Sequence, residues 1–280
     1  MHPKSDLIIK VLFCTQSDEA MKTGLAGRSV LITGASRGIG KAAALAFASE
    51  GCTLHLAGRA IADLEAVAAE CRKAGAPGVH LQVGDLLKSE ETARLAQTCA
   101  GVDVLVTNAG ATPTGPIERI TECQLREGLD LKVVSTAMLI GAIYRSMCAR
   151  RSGVIVNVIG NCGERPDPEI IIGTICNAGM MGFTRALGAE SPRHGVRVLG
   201  VNPGPTATER LVMLMQRKSA DRTGDPERWR ELTEPLPFGR AAEPAEIADM
   251  IVFAASDRAS FVSGTVLTVD GGVAARGRLF

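Results

Sequence analysis

This 280-residue chain has no pair of cysteines at C-x-x-C spacing and only four histidines, none of them clustered. Its eight cysteines, at positions 14, 52, 71, 99, 123, 148, 162 and 176, therefore frame neither a disulfide scaffold nor a zinc site, and no metal is expected. They read as reduced thiols of a cytoplasmic protein. There is no run of eighteen apolar residues, which argues against a membrane span. A formal net charge of +1 with both signs interspersed leaves no electrostatic footprint for nucleic acid or an acidic membrane surface. Small-molecule chemistry is what remains. Other absences are local: no serine falls between Ser152 and Ser191, no lysine between Lys132 and Lys218, and Tyr144 is the sole tyrosine.

What is present suits one large core, since 46% of residues are hydrophobic and 22% charged. From Arg28 onward, short β-branched runs alternate with longer helical patterns, the signature of βαβ units and a parallel sheet covered on both faces. Seven strands are expected, at Val30 to Thr33, Thr53 to Ala57, Val79 to Val83, Val102 to Thr107, Val154 to Ile159, Val196 to Val201 and Val266 to Val269. Helices are expected over Ile39 to Glu50, Ala60 to Ala74, Glu90 to Cys99, Thr121 to Arg150 and Gly173 to Glu190. The pattern predicts a doubly wound α/β fold in one domain over residues 21–280. Residues 1–20 carry neither a basic leader nor a small-residue cleavage site, and read as a poorly ordered extension.

The first strand runs into Thr33-Gly-Ala-Ser-Arg-Gly-Ile-Gly40. Gly34, Gly38 and Gly40 allow a sharp turn and close backbone approach, and the first N–H groups of the following helix point at the same place. With Ser36, Arg37 and Ile39 they form a candidate pyrophosphate site of a dinucleotide. After the second strand, Gly58-Arg59 stands where an acidic residue would select an unphosphorylated ribose. Arg59 and Arg37 suit a 2′-phosphate instead, favouring NADP(H) over NAD(H). Asp85, followed by Leu86, is placed for the adenine or for capping the next helix. Asn108-Ala109-Gly110 closes the fourth strand.

These motifs, together with Asn202-Pro203-Gly204, Thr206, Thr208 and Val269-Asp-Gly-Gly272, stand in the order and spacing of the short-chain dehydrogenase/reductase family, which the chain resembles from about Leu25 to Val273. The resemblance implies a Rossmann-type, seven-stranded, doubly wound sheet, a nicotinamide cofactor and a homodimer or homotetramer. It also implies a substrate lid over residues 209–238, where Leu211, Val212, Leu214 and Met215 predict a hydrophobic substrate or ligand. Pro203, Gly204, Thr206 and Thr208 fall where the family closes over the cofactor.

Family members use an asparagine, a serine, a tyrosine and, four residues after the tyrosine, a lysine. Aligned on the family, those positions hold Asp130, Gly160, Gly173 and Asn177 here. Asn177 can still hydrogen-bond a ribose hydroxyl but carries no charge. Tyr144 lies on the preceding helix and is expected on a structural face. Positioned acid–base catalysis is worth about 10²- to 10⁴-fold, and juxtaposition of reactants supplies effective molarities of about 10⁵ to 10⁸ M. Hydride transfer with a substitute acid is thus physically open. Glu164, just beyond the fifth strand, is the first candidate acid, with Asp167 and Cys176 behind it. Three readings follow: an NADP(H)-dependent oxidoreductase with a non-standard proton donor, a weak or inactive NADP(H)-binding sensor or scaffold, and an acid–base reaction without net hydride transfer, in which Gly160 and Gly173 open space for a bulkier substrate.

Overall fold

A computed structural model describes residues 22–110 and 112–276; the extension expected at residues 1–20 lies outside the described residues. Seven parallel strands form one sheet: β1 (Ser29–Thr33), β2 (Thr53–Gly58), β3 (Val79–Val83), β4 (Val104–Thr107), β5 (Gly153–Val158), β6 (Val196–Pro203) and β7 (Val266–Val269). Their spatial order is β3-β2-β1-β4-β5-β6-β7. The order reverses between β1 and β4, leaving a crevice at the carboxyl ends of those strands. The two strands are in register from Val30 opposite Val104 to Ile32 opposite Val106. The central strands are predominantly apolar because both faces are covered, so they show runs instead of alternation.

One face is covered by α1 (Gly38–Ser49), α2 (Ile61–Lys73) and α8 (Pro244–Ala255), with Phe47, Leu54, Leu64 and Ile251 fully buried among them. The other carries α3 (Ser89–Thr98), α5 (Thr136–Arg150) and α6 (Ile171–Glu190), whose core includes Leu105, Ile140, Ile143 and Ile155. Each such side chain contributes about 1.5–3 kcal/mol through burial.

The helix expected over Thr121 to Arg150 is a continuous rod of three parts. It opens with α4 (Glu122–Leu129), capped by a reciprocal Thr121–Gln124 box, and continues into α5 through a widened π-helical stretch, Asp130–Ser135. There the Ser135 hydroxyl donates to the Asp130 carbonyl at 2.7 Å. By length and hydropathy the rod could cross a membrane. Leu139, Ile140, Ile143 and Met147 instead bury its apolar side in the fold, all at 0–1% exposure. The last helix of the layered core to be placed, α7 (Glu209–Thr223), lies over the crevice and starts at Thr208, whose hydroxyl accepts from the Leu211 N–H.

Candidate functional site

The crevice opens into a cavity of about 440 Å³ at the carboxyl ends of β1 to β4. Its floor is the glycine turn. Gly34 and Gly38 take φ of +65° and +55°, which side chains disfavour. A Cβ on Gly40 would overlap the Gly34 carbonyl, so that glycine serves helix packing and does not line the cavity. Gly34, Ser36, Arg37, Gly38 and Ile39 do line it. α1 begins with no side-chain cap and no acid in its first turn, leaving its N–H groups and positive end open to an anion. The turn is held from β4: Asn108 Nδ2 donates to the carbonyls of Thr33 (3.2 Å) and Gly34 (3.1 Å). Thr33 Oγ1 in return accepts from the N–H groups of Asn108 and Ala109. Asn108, Ala109 and Gly110 all reach the cavity wall, yet the Asn108 amide is already committed to the turn.

Arg59 and Arg37 stand exposed on the wall near the end of β2. Among the described residues neither forms an ion pair, whereas Lys41, Arg126, Arg228 and Arg240 all hold carboxylates at 2.7–2.8 Å. Asp85 and Leu86 line the same end. The Asp85 carboxylate accepts from the Leu87 N–H at 3.1 Å, a local turn bond, while its own N–H donates to Glu91 at 2.7 Å. Glu91 also pairs with Lys88, and these bonds hold its carboxyl below the usual range. Sequence reading did not select Gln82, Glu91, Arg94 or Thr98, all of which line the wall here. Thr208, Glu209 and Arg210 bring the start of α7 across the cavity, and Arg210 Nη2 donates to the Thr112 carbonyl at 2.6 Å.

Pro203, Gly204, Thr206 and Asn177 do not line the cavity. The Thr206 hydroxyl donates to the Gly204 carbonyl, and Asn177 is 2% exposed. The apolar lid residues also lie elsewhere: Leu211, Val212, Leu214 and Met215 are absent from the wall, and α7 packs instead on the turn Pro226–Leu232, where Trp229 is 9% exposed. The two glycines at 160 and 173 do not open space. A Cβ on Gly160 (φ +132°) would sit 2.7 Å from Asn177 Nδ2, and one on Gly173 would sit 2.8 Å from Ile170 Cγ2. Neighbouring side chains have filled both positions.

The candidate acids are likewise engaged. Glu164 does not line the cavity; its Oε2 accepts from Asn202 Nδ2 (3.0 Å) and the Thr268 hydroxyl (2.8 Å), tying the loop to the ends of β6 and β7. Asp167 accepts from the Glu169 N–H in a local turn. Cys176 is fully buried, which raises its thiol pKa, and it faces the Gly128 carbonyl. Tyr144 lies against His194 with ring centroids 6.4 Å apart, and burial and the adjacent Cys148 push its pKa up to about 12. Asp130 is exposed at the start of the π-helical stretch.

A family model for short chain dehydrogenases matches residues 28–219. The chain belongs to the short chain dehydrogenase family. It is 34% identical to the galactitol 2-dehydrogenase (L-tagatose-forming) of Cereibacter sphaeroides over 250 residues, which is 89% of this chain and 95% of that one. Among solved structures it resembles L-sorbose reductase from Gluconobacter frateurii complexed with NADPH and L-sorbose, with 27% identity and a TM-score of 0.86 over 92% of this chain and 100% of that one. It also resembles actinorhodin polyketide ketoreductase with NADPH, at 25% identity and a TM-score of 0.84, again over 92% and 100% of the two chains.

One group of this chain escaped the sequence reading altogether. Lys132, within the π-helical stretch, passes beside Gly110, where a Cβ would lie 3.3 Å from its Cγ and Cδ. Its Nζ donates to the Ile159 carbonyl, at 2.8 Å, just past the end of β5. The residue as a whole is half-buried, but its ammonium is enclosed, and among the described residues no carboxylate pairs with it. Burial lowers its pKa; the thiols of Cys162 and Cys176 act against that shift, and Arg210 adds to it. A lysine inside the apolar run Leu129-Asp-Leu-Lys-Val-Val134 was the available signal.

Proposed function

We propose that this protein binds NADP(H) and transfers hydride between it and a carbonyl or alcohol compound. The supporting observation is the cavity itself: an uncapped helix start beside a glycine turn, with Arg37 and Arg59, which form no ion pair among the described residues, on one wall. Those elements complement a pyrophosphate and a ribose 2′-phosphate. When bound, the nicotinamide would supply the hydride. The chain's part is to hold the phosphates through the Gly34 to Gly38 turn and Arg59, and to exclude water with the Arg210–Thr112 closure. Leu211, Val212, Leu214 and Met215 do not line the cofactor cavity. Galactitol and L-sorbose, which the names of two similar proteins carry, fit a polar hydroxyl or carbonyl compound.

A second reading, an NADP(H)-binding sensor or scaffold, is favoured by the filled positions at Gly160 and Gly173 and by the engagement of Glu164, Asp167 and Cys176. The same engagement counts against an acid–base reaction without hydride transfer, which would depend on those groups. For assembly, we infer a homodimer or homotetramer through the rod and α6, where Val134, Met138 and Ile175 are 51%, 64% and 45% exposed. A panel of ketoses, polyols, ketones, aldehydes and quinones, followed at 340 nm with NADPH or NADP⁺, separates the two readings. Consumption of cofactor with any member supports the oxidoreductase; cofactor binding with none consumed supports the sensor.

A further inference from the structure

The turn Asn161–Gly163, just past β5, lies directly on α6. A Cβ on Gly163 would sit 2.7 Å from the Ala178 nitrogen and 2.8 Å from Asn177 Cβ, so the approach needs a glycine there. It brings Cys162 Sγ to the Asn177 amide, whose Nδ2 donates to the sulfur at 2.8 Å. The other end of that amide is unsatisfied. Asn177 is 2% exposed, and its Oδ1 is the one buried side-chain nitrogen or oxygen among the described residues with no hydrogen-bond partner. Neither Cys162 nor Asn177 lines the cavity between β1 and β4.

Accessibility and surroundings set Cys162 apart from the other described thiols. Cys52, Cys71, Cys99 and Cys176 are buried, and burial raises the pKa of each, which keeps them inert. Cys123 is exposed, while Cys148 and Cys162 are half-buried. Cys148 lies beside Tyr144. Cys162 instead accepts an amide N–H, and the Lys132 ammonium, which pairs with no carboxylate among the described residues, acts electrostatically on the same thiol. An N–H donor and a cation stabilise charge on a sulfur as it attacks. A buried acceptor without a donor costs stability. A hydroxyl carried on Cys162 Sγ would supply that donor, because Nδ2, which touches the sulfur, and Oδ1 are two ends of one planar amide. Oxidation of the thiol by a single oxygen creates that hydroxyl.

We propose that Cys162 is a site of reversible oxidation by a small hydroperoxide, its sulfenic acid held by the Asn177 amide. The sulfur attacks one peroxide oxygen, an S–O bond forms and the O–O bond breaks. The sulfur is oxidised and the peroxide reduced, and the second oxygen leaves with a proton as water or an alcohol. The new S–OH group donates to Asn177 Oδ1. Two equivalents of a small thiol reverse the step, restoring the cysteine and releasing water and a disulfide. The site is independent of the NADP(H) reading, since it uses no residue of the cavity wall.

The test treats the reduced whole protein with equimolar hydrogen peroxide, traps sulfenic acid with dimedone and locates the adducts by peptide mass spectrometry. Cys162 is expected to be labelled about tenfold or more faster than the more exposed Cys123, the reverse of what accessibility alone gives. Dithiothreitol added in place of dimedone is expected to return Cys162 to the thiol. Asn177→Asp keeps the shape of the side chain and removes the N–H donor, and the Cys162 rate is expected to fall about 10- to 100-fold while that of Cys123 is unchanged. Asn177→Ala is expected to lower the Cys162 rate about tenfold, and serves in its own right if Asn177→Asp fails to fold. Labelling of Cys162 no faster than that of Cys123, or an unchanged rate in the folded variants, overturns the proposal. So does the gain of two or three oxygens at Cys162 under equimolar peroxide, because a held sulfenic acid stops at one.

Discussion

Replacing Gly160 by serine places a side chain where two constraints act at once. The residue sits at φ +132°, a conformation that side chains rarely adopt, and its Cβ would lie 2.7 Å from Asn177 Nδ2 and 3.4 Å from Asn177 Cγ. Holding a non-glycine residue in such a region costs about 1–3 kcal/mol. Forcing an atom into a filled site costs about 1–3 kcal/mol more. Together they give about 2–6 kcal/mol, against a typical domain stability of about 5–15 kcal/mol. Urea unfolding of Gly160→Ser is therefore expected to show a much lower midpoint with the same slope. The double variant Gly160→Ser/Asn177→Ala separates the two causes, since removing the amide relieves the contact and leaves the backbone strain. It should recover about 1–3 kcal/mol beyond the sum of the single effects. A Gly160→Ser protein within about 0.5 kcal/mol of wild type, or a cycle with no coupling, would refute the account of how this position is filled. Such a result would restore the reading in which Gly160 leaves open space.

Other substitutions follow from the same geometry. Glu164→Gln keeps an acceptor for Asn202 and Thr268 but loses the charge, so a loss of about 0.5–1.5 kcal/mol in urea unfolding is expected, with NADPH affinity unchanged. Removing the Arg210–Thr112 bond in Arg210→Ala should speed NADPH dissociation by about 2- to 10-fold in stopped-flow fluorescence. Burial lowers the pKa of Lys132 below the ordinary lysine value, so between the two values the unfolded chain binds more protons than the folded one. Stability should therefore rise with pH across that window, and urea midpoints measured from neutral pH to about pH 10 should lose this slope in Lys132→Met.

The strand pattern was legible because a sheet covered on both faces demands apolar β-branched runs, and the expected and observed boundaries differ by two residues at most, at Val104 and Pro203. The glycine turn was legible too, because Gly34 and Gly38 need positive φ and little else in the sequence would supply it. What escaped was set by contacts distant in sequence. Glu164 looked like a site residue from its place after β5, but the fold brings Asn202 and Thr268 to it from β6 and β7. The lid's apolar residues looked like a substrate wall; they do not line the cavity, and their helix packs on the turn Pro226–Leu232. Whether Gly160 and Gly173 widen the crevice depended on Asn177 and Ile170, whose directions no local pattern encodes. The π-helical stretch is a change of hydrogen bonding without a compositional signature. Lys132 therefore read only as one end of a lysine-free stretch.

Titration with NADPH and with NADH, in wild type and in Arg59→Ala and followed by nicotinamide fluorescence, decides whether the crevice is an NADP(H) site. Arg59, on the cavity wall with no ion-pair partner among the described residues, predicts that wild type prefers NADPH by about 10- to 100-fold, the worth of hydrogen bonds to a charged group, and that Arg59→Ala loses most of that preference while binding NADH as before. Equal affinities for the two cofactors in wild type would contradict the assignment of Arg59, and no binding of either would contradict the claim that this crevice is a dinucleotide site.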